Sequence, residues 1–132
     1  MAILTSQQAN ELANSFSAMA QAIEDYKDQN FDTLSKPQYQ EIKDLQLSVL
    51  SYADDLYTLS ATLTLEMDNV QTALSALGNV TNQMKNTYKT LQNFQKAINV
   101  ASSVVTLGAA ILSKNPQTIS DSINGLMKTW DS

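Results

Sequence analysis

The sequence predicts an all-α fold: an up-down bundle of about four helices arranged around a long central antiparallel hairpin. Three observations carry this. Only three Gly and two Pro occur in 132 residues, too few for the turns of a typical β protein. Apolar residues recur at spacings of three and four along most of the chain, the period of one helix face. Two Ser/Thr-x-x-Gln patterns stand where helices would begin. With 43% hydrophobic residues, residues 1–132 suit a single domain that buries a core without disulfides or metals.

The first helix is expected over 5–30. Thr5 and Gln8 form a capping-box pattern. Leu12, Phe16, Met19, Ile23 and Tyr26 then fall on one stripe, widened by Ala9, Ala13 and Ala20. Phe31 to Lys36 is a short connection. Ser35 with Gln38 repeats the capping pattern, and Pro37 suits a first helical turn.

The second helix is expected over 36–77, with Ile42, Leu45, Val49, Tyr52, Leu56, Leu59 and Leu63 on its stripe. Stepping by sevens from Val49 meets only apolar residues: Leu56, Leu63, Val70, Leu77, Met84, Leu91, Ile98, Val105 and Leu112. A regular seven-residue repeat favours long helices packed at shallow angles, as in a coiled coil. One unbroken helix along that line would exceed about 110 Å at about 1.5 Å per residue, so a break is required. Gly78-Asn79 is the leading position, because Gly commonly ends helices. A turn there would set Asp68 against Lys89 and Leu63 against Phe94. A competing break lies near Thr64, where Thr62 and Thr64 are poor helix formers. The third helix is then expected over 80–114. Asn115-Pro116 reads as a cap and first helical residue. Ile119, Ile123, Met127 and Trp130 line a fourth helix over 116–131.

Absent residue types exclude much chemistry. The sequence contains no Cys, no His and no Arg. Thiolate nucleophiles, thiolate zinc sites and Ser-His-Asp triads cannot be built. The commonest metal ligand and neutral-pH base is missing, as is bidentate recognition of phosphate or guanine. Neither a Gly-rich dinucleotide fingerprint nor a Walker loop is present. Asp54 and Asp55 point about 100° apart on a helix, and Glu24, Asp25 and Asp28 lack a calcium loop. Both groups read as solvated faces. The chain is therefore expected to be no enzyme, to need no cofactor or metal, and to bind no nucleic acid.

Charge is unevenly spread. Residues 1–68 hold eleven acids and three lysines, whereas residues 69–132 hold two acids and five lysines, within a net charge of −5. The halves should attract one another within the fold. The N-terminus shows neither a basic region nor an apolar run of signal-peptide length. The expected location is cytoplasmic, or outside after leaderless export.

Two functional readings follow. The first is a soluble interaction or scaffold module for a protein partner or for self-association. Its interface is expected at Val70, Leu74, Leu77, Met84 and Leu91, left bare if the hairpin tip protrudes, with Trp130 as an anchor near the chain end. The second is a membrane-active bundle. Residues 97–113 carry no charge and lie between Lys96 and Lys114. Ile98, Val104, Val105, Leu107, Ile111 and Leu112 would meet lipid, and Ala101, Gly108 and Ala109 permit close helix approach. Long bundled helices, an uncharged helical segment and apolar residues near the C-terminus together make this layout loosely similar to that of helical pore-forming toxin subunits.

Overall fold

The computed structural model describes residues 2–60, 66–67 and 70–132, with side-chain surroundings for 4–59 and 71–132. Five helices pack together: α1 (Ser6–Gln29), α2 (Lys36–Ser60), α3 (Val70–Thr87), α4 (Phe94–Leu112) and α5 (Pro116–Asp131). A single 3-10 turn, Tyr88–Thr90, follows α3. Near the start of the chain, β1 (Ala2–Ile3) pairs antiparallel with β2 (Glu66–Met67), Ala2 opposite Met67.

The capping signals hold in atomic detail. The Thr5 side chain accepts from the Gln8 backbone, and the Gln8 side chain accepts from the Thr5 backbone. Ser35 and Gln38 make the same reciprocal pair. Asn115 accepts from the Thr118 N–H, and Pro116 occupies the first turn of α5. Each such cap stabilises its helix by about 1 kcal/mol.

The expected long hairpin is corrected. The helix expected over 36–77 ends at Ser60, and Gly78 lies inside α3 rather than at a turn. No glycine among the described residues takes a positive φ, so nothing at Gly78 asks for the freedom that makes glycine end helices. α2 and α3 are separate helices, the first ending at Ser60 and the second starting at Val70; Thr62 and Thr64, the competing break, lie outside the described residues. The helix expected over 80–114 is also interrupted, between Thr87 and Phe94. There the chain tightens so that Tyr88 points inward, its ring 5.3 Å from that of Tyr26 and its hydroxyl donating to the Ala97 carbonyl at 2.6 Å. Asn93 then caps α4 by accepting from the Lys96 N–H. With Gly78 helical, the expected facing of Asp68 with Lys89 and of Leu63 with Phe94 loses its basis; Leu63 and Asp68 lie outside the described residues.

α1 packs against α2 and α3; α2 also meets α4, α4 meets α5, and α5 returns to α3. This ring encloses one core in which Phe16, Met19, Ile23, Val49, Leu56, Leu77, Met84, Val104, Leu107 and Ile123 are all buried. The contact of α2 with α4 depends on Gly108. A Cβ built there would overlap the Tyr52 ring, 2.6 Å from Cγ and 2.9 Å from Cε2.

Burial pushes the Tyr88 phenol far above its ordinary range, and the neighbouring Tyr26 adds to the effect. An unfolded tyrosine loses its proton near about pH 10, whereas the folded Tyr88 keeps it. Above that pH the unfolded state therefore binds fewer protons, and stability falls as pH rises. Tyr88→Phe should lose about 0.5–1.5 kcal/mol at neutral pH with the hydrogen bond and flatten the decline of melting temperature above about pH 10. Parallel alkaline profiles for the two proteins would contradict this placement of Tyr88.

Candidate interaction surface

The residues expected to form a bare stripe are mostly inside the bundle. Leu77 and Met84 are fully buried, and Leu74 and Leu91 are half-buried against the same core. Their exposure depended on a hairpin tip without neighbours; with α3 seated against α1 and α5, that tip does not exist. The side chain of Val70 lies outside the described residues. Trp130 is also enclosed. Its Nε1 donates to the Gln83 side chain on α3, and Lys96 Nζ lies 5.5 Å from its ring, so it joins α3, α4 and α5 instead of standing free.

The residues of the uncharged segment fare similarly. Ile98, Val104, Leu107 and Ile111 are buried, while Val105 and Leu112 are half-buried. α4 is long and apolar enough, by length and composition, to cross a membrane. In this fold half of that apolar window is occupied by contacts with the other helices.

Apolar surface is instead left bare elsewhere. The exposed large hydrophobics among the described residues are Phe31 (61%), Leu47 (49%), Leu50 (41%) and Tyr57 (40%). All four belong to α2 or to the connection that leads into it. On α2 the inward stripe is Ile42, Val49, Ala53 and Leu56. Lys43, Leu47, Leu50 and Asp54 follow a four-three-four spacing about a third of a turn round the helix from it, so they form a second, outward stripe. Two faces of one helix thus carry apolar residues. One builds the core, and the other has no counterpart among the described residues.

The ends of this face differ chemically. At its start, Phe31 meets Tyr39 edge-on with ring centroids 5.6 Å apart. These rings, with Asp32, Leu34 and Lys36, line a depression of about 560 Å³. Lys27 lies 5.4 Å above the Tyr39 ring and 3.0 Å from Glu24. Burial alone would lower the affinity of Lys27 for its proton, but the Glu24 carboxylate and the Tyr39 hydroxyl outweigh it and raise the pKa. The ammonium is thus a fixed charge that ties α1 to α2. At the far end the Tyr57 hydroxyl donates to Asn14 on α1. This pins the ring along the helix pair rather than freeing it into solvent.

Among the described residues no group of three or more acids could hold a metal ion. Glu24 is engaged with Lys27, and Asp25 accepts from Gln21. Asp54 and Asp55 are both exposed. Leu47 and Leu50 fall off the heptad line, so a sequence reading built on that line misses them. The signal is a second apolar track on a helix whose first track is already satisfied. No family model matches this chain, and no curated protein or solved structure is similar enough to count as a match.

Proposed function

We propose that this chain is a non-enzymatic interaction module, and that the outer face of α2 is its docking surface. One observation carries the reading: all the exposed large hydrophobics among the described residues sit on α2 and the connection before it. Scattered exposed apolar residues need no explanation, but a cluster on one element marks an interaction site. Helix faces of this kind engage partners through anchors spaced by three, four and seven. The absence of His and Cys from the sequence supports a binding role over catalysis.

A second reading is favoured by α4, whose membrane-length apolar composition is interrupted by a single charge, Lys96, in its first turn. In that reading the bundle opens at a lipid surface and releases Ile98, Val104, Leu107 and Ile111 from the core. A photo-crosslinking residue tests both. Placed at Leu50, it should capture protein in the host cell; placed at Ala109, an exposed position on α4, it should capture nothing. Lipid adducts at position 109, or no protein adduct at position 50, would overturn the docking proposal.

A further inference from the structure

The charges that border the α2 apolar pair are arranged so that the face is complementary to itself. Lys43 precedes Leu47 by four residues, and Asp54 follows Leu50 by four, all on the outward stripe. Asp54 is exposed and Lys43 half-buried, and neither side chain makes an ion pair among the described residues. From Asp44 to Met84 the chain contains no lysine. Among the described residues the acid of this stripe has no cation within ion-pair distance, and the lysine has no acid engaged with it.

We infer that the outer face of α2 pairs antiparallel with α2 of a second copy of this chain, about a two-fold axis midway between Leu47 and Leu50. The axis sets Leu47 against the partner's Leu50 and Leu50 against the partner's Leu47. It also sets Lys43 against the partner's Asp54, and Asp54 against the partner's Lys43. A two-fold interface repeats every contact, so four leucines form the centre and two ion pairs close its ends. This inference rests on the reading of α2 as a docking face and names its occupant.

Charge order selects this arrangement over the parallel one. Parallel pairing would set Lys43 beside the partner's Lys43 and Asp54 beside the partner's Asp54, and like charges directly opposite are unfavourable. The remaining acids of α2, Glu41, Asp44 and Asp55, project roughly a quarter-turn or more from the stripe, away from the contact line. From Lys43 to Asp54 the stripe spans about 16 Å. That is short for the ~1,200–2,000 Å² of a standard stable interface, so the dimer is a weak one, with a dissociation constant in the micromolar range or above.

Complementary charge reversal tests the pairing in the full chain. By sedimentation equilibrium the wild-type protein should show a monomer–dimer equilibrium. Lys43→Glu alone, or Asp54→Lys alone, should weaken it by about tenfold or more, because each puts two like-charged pairs into the dimer. An equimolar mixture of the two variants should dimerise again. In the mixed dimer the glutamate introduced at position 43 of one copy faces the lysine introduced at position 54 of the other. The unchanged Asp54 of the first copy faces the unchanged Lys43 of the second. Circular dichroism of each variant verifies the fold, and mixing requires no doubly substituted chain. A wild-type protein that stays monomeric at millimolar concentration overturns the inference, as does a mixture no more associated than its components. The α2 docking face would survive either failure if the crosslinker at Leu50 captured a protein of a different mass, and would fall with it if nothing were captured.

Discussion

Met84→Lys should unfold the protein or lower its melting temperature by more than about 10 °C. Met84 is fully buried, in the cluster that also holds Leu77, Tyr88 and Ile123. An ammonium placed there loses its hydration without gaining a partner, one of the few routes by which a single substitution costs over ~4 kcal/mol. That is a large share of the ~5–15 kcal/mol that holds a domain together. Leu47→Lys, on the outer face of α2, should change stability by only about 0.5 kcal/mol. The pair separates two accounts of the apolar stripe. Were Met84 on an exposed hairpin tip, the lysine would be harmless to the fold and damaging only to assembly. Thermal melts followed by circular dichroism decide between them, and a folded, stable Met84→Lys protein would contradict the packing of α3.

The three glycines should respond in opposite directions to alanine. Gly108→Ala brings a methyl group against the Tyr52 ring. The ring is held at its root, so α2 and α4 must separate, and overpacking of this kind costs about 1–3 kcal/mol. Gly78 has nothing within 4 Å of a built Cβ, and neither has Gly125. Both lie within helices, where alanine is better than glycine by about 0.8–1.0 kcal/mol. Gly78→Ala and Gly125→Ala should therefore raise the melting temperature by a few degrees while Gly108→Ala lowers it. The Gly78 result also bears directly on the fold. A glycine at a left-handed turn would make alanine destabilising, so a lowered melting temperature would restore the hairpin break at that position.

Much of the fold is legible in the residues because the signals that specify it are local. The start of α1 follows from Thr5 and Gln8, that of α2 from Ser35 and Gln38, and that of α5 from Asn115 and Pro116. The seven-residue line also finds core positions in three different helices: Val49 and Leu56 in α2, Leu77 and Met84 in α3, and Ile98 in α4 are all buried. The same line misleads about continuity. It runs in phase across two interruptions, so the repeat, even with a break at Gly78, suggests two long helices where there are three shorter ones. The interruption after Thr87 depends on Tyr88 reaching Tyr26 and Ala97, contacts between elements that no local pattern encodes. Its one local trace is Asn93, a good cap residue directly before α4.

The surface is less legible than the core for a related reason. An apolar residue records a preference for burial, not the surface that buries it. Leu77 and Met84 read as available only when α3 is drawn as a projecting tip. Leu47 and Leu50 stand out only after α1 and α4 are seen to cover the inward stripe of α2. Trp130 has the chemistry of an anchor, and its partner is Gln83 within the same chain.

Methyl resonances followed during dilution give the most direct test of where this protein binds. With leucine and methionine methyl groups labelled in the wild-type chain, Leu47 and Leu50 should shift progressively as the protein is diluted from the millimolar range, while Leu77 and Met84 stay fixed. Shifts at Leu74, Met84 or Leu91 with none at Leu47 and Leu50 would contradict the account and return the interface to α3 and the turn after it.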